Sequence, residues 1–324
     1  AFEPLDYGPL FGAPAGRGTI GGVLAGNLAG PRRIKAGAAR DHVLGIHAVS
    51  GRGEAFKSGG RVVKNVTGYD LSKAMAGSWG TLAVVTDTTF KVLPAAETET
   101  TLVLRGLSDA DAATAMAAAM GSAGEVSGAA HLPESVTGSV IAGALAGAAS
   151  TLLRLEGFGP SVAYRRDMLT GLFKGGEIET LEDHASRTLW REIRDVAPFC
   201  DGTERSVWRV SVPPTRGHAL VMALRMQAAA DAFYDWQGGL VWLRMESEPE
   251  ADIVRALVAA HGGGHATLVR AAPAWRSSVP VFQPQPAPLA ALSARLKNQF
   301  DPQNVLNPGR MYPAGSSASL ETQD

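Results

Sequence analysis

Cysteine is nearly absent: Cys200 is alone among 324 residues. No intrachain disulfide can form, and this chain by itself cannot ligate an iron–sulfur cluster. Cys200 therefore reads as an inert, half-buried thiol in a reducing cytosol. Charge of one sign is also lacking. The 30 basic and 31 acidic side chains leave a net charge of −1, which excludes the electrostatic footprint of a nucleic-acid binder. The histidines and carboxylates show no metal-ligand spacing. Long apolar runs are scarce too. The stretch from Ser135 to Leu153 is free of charge, but Gly, Ala, Ser and Thr dominate it and give a poor transfer energy into lipid. Two short strands joined near Gly143–Gly147 are expected there instead of a membrane span.

What is present is an ordinary globular composition, 45% hydrophobic and 19% charged, over a length that suits two domains. Up to about Pro94 the chain is rich in glycine and in short strand-like runs. Val43–Val49 and the β-branched Thr81–Val92 are the clearest, and a short helix begins near Asp70. Beyond Pro94 the pattern changes. Thr101–Arg105 reads as a strand and Asp109–Met120 as a helix with Ser108 at its N-cap. Strands follow at Val126–Leu132 and Thr151–Leu155, and helices at Ser161–Phe173 and Leu181–Asp195. A strand at Val207–Val212, a helix at Arg216–Ala229, a strand at Gly239–Met245, a helix at Ala251–His261 and a strand at Ala266–Arg270 complete the series. This twice-given β–α–β–β–α order predicts an α+β layer of antiparallel strands with helices on one face. Leu289–Phe300 reads as a last helix, stopped by Asp301-Pro302.

The densest local signal is the run from Gly16 to Gly30, which carries six glycines. Such a loop exposes backbone amides, and amides converging on one concavity form an anion nest. The spacing is not the nicotinamide dinucleotide fingerprint, because no G-x-G-x-x-G follows a strand. From the glycines alone, a ligand loop and a plain turn-rich loop stand as equals.

Thr19-Ile-Gly-Gly22, Gly30-Pro-Arg-Arg33, Ala39-Arg-Asp-His-Val-Leu-Gly45, Lys64-Asn-Val-Thr-Gly-Tyr-Asp-Leu71 and Gly77-Ser-Trp-Gly-Thr-Leu82 together resemble the flavin domain of the vanillyl-alcohol-oxidase (PCMH-type) FAD-linked oxidase superfamily. With Val207-Trp-Arg-Val210, Trp236-Gln-Gly-Gly239, Gly263-Gly-His-Ala-Thr267 and Phe300-Asp-Pro-Gln-Asn-Val-Leu-Asn-Pro-Gly-Arg-Met-Tyr312, the chain resembles the E-type FAD-binding subunits of glycolate oxidase. The resemblance implies the second subdomain of a PCMH-type FAD-binding domain at residues 1–95 and a ferredoxin-like α+β cap at 96–285. A segment returning to the flavin domain at 286–313 and a disordered tail at 314–324 would follow. It also implies that the chain starts inside the second subdomain, without the family's first glycine loop, so that FAD would be held weakly.

Carried over residue by residue, the resemblance assigns FAD contacts to Thr19, Ile20, Gly21, Gly22, Asn27 and Gly30 for the pyrophosphate and ribityl chain. Val84 and Val85 would serve the adenine end, and Pro4 the chain passing over the pyrophosphate. The implied reaction is oxidation of glycolate to glyoxylate, in a complex with a second flavoprotein subunit and an iron–sulfur subunit, in the cytoplasm or peripheral to the inner membrane through those partners. Two alternatives stay open: a non-catalytic FAD-binding assembly subunit, and a stand-alone FAD-linked D-2-hydroxy-acid dehydrogenase. Such chemistry needs a cation for the carboxylate and a base for the proton. His261 and His265, separated by glycines, are the base candidates, set against a helix C-cap and a plain strand residue. Arg310 and Asn307 are candidates near the flavin ring, set against a capped turn. Trp208, Arg209 and Trp236 read first as core packing, with a pocket or partner surface second.

Overall fold

The computed structural model describes residues 2–63 and 68–312. Lys64–Thr67 of the resemblance motif and the tail from 313 onward lie outside the described residues. The chain divides into two compact units. The larger comprises residues 1–17, 29–36 and 94–281, and the smaller comprises 18–28, 37–93 and 282–324. The early glycine-rich region is thus shared between units, residues 29–36 belonging with the C-terminal mass.

In the smaller unit, β1 (Val43–Ser50) lies between β2 (Ala55–Gly59) and β3 (Ala83–Phe90), all antiparallel. Val43, Ile46 and Ala48 of β1 are buried with Leu24, Met75 and Leu82, and Phe300 packs against them. Phe300 ends the helix Ala287–Phe300 and meets Phe56 at a ring-centroid distance of 6.0 Å. Its carbonyl accepts the Gly51 N–H at 2.9 Å, which ties the β1–β2 turn to that helix. The helix stops because Asp301 turns its carboxylate back. That carboxylate accepts the amides of Val305 at 3.0 Å and Leu306 at 2.8 Å and pairs with Lys297.

The larger unit holds one eight-stranded antiparallel sheet. Its strands are β4 (Thr98–Arg105), β5 (Gly128–Leu132), β6 (Ser150–Gly157), β7 (Ile178–Glu182), β8 (Val207–Ser211), β9 (Ala230–Asp235), β10 (Leu240–Met245) and β11 (His265–Arg270). They run in the spatial order β11-β8-β10-β9-β5-β6-β4-β7. Each half is a βαββαβ unit of ferredoxin-like order, and the expected α+β class holds, with the repeat read from the sequence present twice. Helices Asp109–Met120 and Gly159–Leu172 cover Leu102, Leu104, Leu153 and Leu155 of the first half. Helices Gly217–Arg225 and Ala251–Ala260 cover Trp208, Val210, Val241 and Leu243 of the second.

The local reasons are visible. Ser108 Oγ accepts the Asp111 amide at 3.2 Å, and Asp109 and Asp111 sit in the first turn, where a carboxylate complements the helix dipole. A third helix, Asp183–Arg194, seals the opposite face of the first half. The Trp190 Nε1–H donates to Thr101 Oγ1 at 2.7 Å, and Ser186 bonds the same hydroxyl at 2.7 Å. On the corresponding face of the second half Phe233, Leu240 and Trp242 are buried, with Phe199 of a 3-10 turn packed on Phe233 at a ring-centroid distance of 5.3 Å.

Several expectations are corrected. The charge-free stretch is not two strands: Glu134–Thr137 is a helical turn, Ile141–Gly143 a 3-10 turn, and β6 begins at Ser150. The helix expected from Leu181 begins at Asp183, because Leu181 and Glu182 close β7. The helix from Arg216 ends at Arg225, and the chain then enters β9. β2 had no counterpart in the sequence reading.

Candidate functional site

In the smaller unit a cavity of about 240 Å³ is lined by Gly21, Ser78, Gly80, Val84, Val85 and Asn307, among others. Thr19 caps the helix that supplies Gly21, Leu24 and Ala25 to one wall. It is extended (φ −114°, ψ 154°) and its Oγ1 accepts the Gly22 N–H at 3.0 Å, which starts the helix Ile20–Ala25. The first-turn amides of Ile20 and Gly21 have no intrahelical carbonyl to bond. A Cβ at Gly21 would reach only Thr19 Oγ1, at 4.0 Å, so glycine here keeps space open instead of relieving a clash.

The opposite wall is the Trp79–Gly80 turn, where both residues have positive φ (54° and 69°). Asn307 Nδ2 donates to the carbonyls of Trp79 at 3.2 Å and Gly80 at 3.1 Å. Asn307 therefore pins this turn as well as lining the cavity. The Arg310 guanidinium lies 5.7 Å from the centre of the Trp79 ring, whose edge meets Phe282 at 5.4 Å. β3 is an edge strand, so one row of its main-chain groups near Val84 and Val85 is not engaged by the sheet.

Asn27 has its side chain committed, Oδ1 accepting the Arg40 N–H at 2.9 Å, with the backbone at φ 47°. Pro4 and Gly30 lie in the larger unit. Gly30 is a packing glycine there: its N–H donates to the Glu3 carbonyl, its own carbonyl accepts Trp236 Nε1–H at 3.0 Å, and a Cβ would collide with Glu3. Bare amides, small side chains and a free strand edge around one cavity suit the phosphates and ring of a nucleotide cofactor such as FAD.

The larger unit offers different chemistry. The pairing places Thr267, Arg209, Trp242 and Phe233 in one cross-strand row, and His265, Ser211, Leu240 and Asp235 in the next. Both rows point to the face opposite the two covering helices, because successive residues alternate and Trp208 and Val210 take the helix side. Gly264 permits this arrangement: at φ 135° it brings β11 so close to β8 that a Cβ would strike the Ser211 carbonyl.

Burial, then the nearby Arg209 and Arg33 guanidinia, hold the His265 imidazole below its ordinary pKa. His261 is differently employed. It ends its helix, and its Nδ1 lies 2.8 Å from the Leu257 carbonyl, so that nitrogen carries the proton and donates. Asp235, fully buried, has its carboxyl raised to about 7 by burial, although it accepts the Trp236 N–H at 2.7 Å.

Trp236 is the residue whose role the sequence reading underrated. With Gln237 it has positive φ (52° and 61°), costly for a large side chain. The turn is held by Asp235 and by the indole bond to Gly30. Trp208, by contrast, is core, its Nε1–H donating to the Pro249 carbonyl at 2.7 Å. Arg33 stands in the motif Gly30-Pro-Arg-Arg33 but carried no role there, and its adjacency to Arg32 gave no signal of which arginine is paired. Cys200 matches its expected role: burial pushes its thiol up to about 11.

Comparison with known proteins adds an independent line. No protein-family model matches the chain. The glycolate oxidase subunit GlcE of Escherichia coli is 33% identical over 310 residues, covering 96% of this chain and 74% of that subunit. The glycolate oxidase subunit GlcD of Bacillus subtilis is 42% identical over 85 residues, which is 26% of this chain and 18% of that one. Among solved structures, p-cresol methylhydroxylase superposes with a TM-score of 0.62 at 15% identity, over 86% of this chain and 66% of its own. That likeness bears on the fold alone, which is PCMH-type. The similarity to GlcE runs through both units, and the chain belongs to the GlcE family of glycolate oxidase subunits.

Proposed function

We propose that this chain is the FAD-binding subunit of a complex that oxidises glycolate to glyoxylate. The observation that carries the reading is the 33% identity to GlcE across 96% of the chain, and the small-residue cavity of the smaller unit supports it. FAD, held in that cavity, would supply the two-electron acceptor that oxidation of a 2-hydroxy acid requires. The chain's own residues have defined tasks. The Gly21 amide would be offered to phosphate oxygens, and Gly80 and Ser78 leave room in the cavity. In the larger unit His265, its pKa held below the ordinary value by burial, is a base on the same sheet face as Arg209.

Electrons leave through a second flavoprotein subunit and an iron–sulfur subunit. With a single cysteine in the sequence, the cluster's thiolates belong to the partner. The complex works in the cytoplasm or at the inner membrane through its partners. Among the described residues no helix is long and apolar enough to cross a membrane. The test is purification of the tagged chain with its neighbours from its own cells, with flavin content and glycolate-dependent dye reduction measured for the complex and for the chain alone. Glycolate-dependent reduction by the complex, lost when the cavity is blocked, is expected. A complex active with glycolate after this chain's cavity is blocked would reduce the chain to an assembly component.

A further inference from the structure

Six arginines of the larger unit show a division of labour. Arg32 is bound to Glu156 through Nε and Nη2 and lies 3.6 Å from Glu3. Arg154 grips Glu3 at 3.1 and 3.2 Å, Arg244 pairs with Asp231 and Asp201, and Arg270 with Asp201. Their charges are neutralised within the fold. Arg33 and Arg209 are different. Among the described residues neither side chain has a hydrogen bond or a carboxylate within ion-pair distance, and both guanidinium groups lie against one ring, Trp236, at 4.4 and 4.9 Å from its centre.

We propose that Arg209, with Arg33 and the Trp236 face between their strands of chain, is a clamp for the carboxylate of a small organic acid. The proposal rests on the reading of the chain as a 2-hydroxy-acid oxidising subunit and names the groups that would hold the acid.

Three observations lead to a carboxylate and not to core packing. A stacked arginine leaves its N–H edge free, and that planar edge matches the two oxygens of a carboxylate. Arg209 stands half-buried on the sheet face opposite the two covering helices, in the row beside the exposed His265, so an acid held by its carboxylate would present its neighbouring hydroxyl toward a proton acceptor. Tyr7 and Asp235 are the other titratable groups whose charges reach Arg209. Burial raises the pKa of both, so at neutral pH neither is a full counter-charge. Two cations on one ring with no anion of their own leave a surplus of positive charge that a ligand carboxylate would complete. The strained Trp236 backbone fits the same purpose, because it aims the ring where a relaxed turn would not.

The test uses the full chain and calorimetric titration with glycolate and with oxalate at constant ionic strength, chloride serving as the control anion. The expected result is saturable binding of both acids. Arg209→Gln should weaken it roughly tenfold or more and Arg209→Lys less, since a charge-assisted bidentate contact is lost in the first and half replaced in the second. Arg276→Gln, remote in role because its Nε bonds the Ala271 carbonyl, should bind as the parent does. Circular dichroism on each variant establishes that it is folded. Absence of saturable binding by the folded parent, or equal binding by Arg209→Gln, overturns the clamp. Titration of the same samples with added FAD reports separately on the cofactor reading: flavin bound without acid binding sinks the clamp alone, and acid bound by a chain that added FAD does not saturate sinks the cofactor assignment alone.

Discussion

His131 and Tyr234 are the pair at which the two halves of the large sheet join, β5 meeting β9 in register there. Both side chains converge on Asp109 at the start of a helix of the first half: the Tyr234 hydroxyl donates to Oδ2 at 2.5 Å, and His131 Nε2 lies 3.3 Å from Oδ1. The other imidazole nitrogen meets Thr151 Oγ1 at 2.9 Å. A joint of one strand pair is thus reinforced by a buried polar network. Tyr234→Phe deletes a hydrogen bond to a carboxylate and should cost about 1–3 kcal/mol in urea unfolding. A cost below about 0.5 kcal/mol would show that apolar packing alone secures the joint.

Acid should loosen the larger unit by a specific route. Burial would raise the Glu156 carboxyl, but the Arg32 hydrogen bonds and the Arg154 charge outweigh it and bring the pKa down to about 2 from an ordinary 4.5. A depressed folded-state pKa gives stability that is full above 4.5 and is lost as pH falls toward 2. Glu156→Gln should therefore be less stable than the parent near neutral pH and converge on it in acid. Parallel stability curves for the two chains would contradict this.

Asp235 has the opposite sign. Burial lifts its carboxyl from 3.8 to about 7, so its contribution is greatest below 3.8 and declines as pH rises through 7. Asp235→Asn keeps an oxygen to accept the Trp236 N–H and removes the titration. The variant should gain in thermal midpoint relative to the parent between about pH 5 and about pH 8. A constant difference across that range would place the titration elsewhere.

Gly21→Ala separates folding from binding. Alanine favours a helix over glycine by up to about 1 kcal/mol, and the added methyl meets no clash inside the chain. The variant should be as stable as the parent or more so, yet retain less flavin through purification. An unchanged flavin-to-protein absorbance ratio would remove Gly21 from the cofactor wall.

Most of this architecture was legible in the sequence where periodicity and caps agree. Ser108 before an alanine-rich run announces the helix Asp109–Met120, and β-branched Thr81–Val92 announces β3. What escaped was the short and the ambiguous. β7 (Ile178–Glu182) is a short edge strand with glutamates at 179 and 182 that runs straight into a helix, and β9 follows Ala228–Ala229, which extend the helical pattern past its true end. In the charge-free stretch, small residues satisfy strand and turn equally, and only tertiary packing selected turns.

The candidate site was legible in part. Gly21, Val84, Val85 and Asn307, far apart in the sequence, line one space; the resemblance named them without showing that they share it. It could not separate Arg32 from Arg33, or Trp208 from Arg209. Whether an arginine is neutralised depends on glutamates more than a hundred positions away, such as Glu156. A strand's two neighbouring residues serve opposite faces, and only one of them joins the helix-side core.

The helix Asp183–Arg194 shields one half of a doubled sheet, while on the matching side of its twin half Phe233, Leu240, Trp242 and Asp235 are enclosed without such a helix. Two copies of one layer have therefore come to be roofed by different means. Enclosed side chains answer to packing and are slow to change, whereas the exposed His265 at the end of one row can be exchanged at less structural expense.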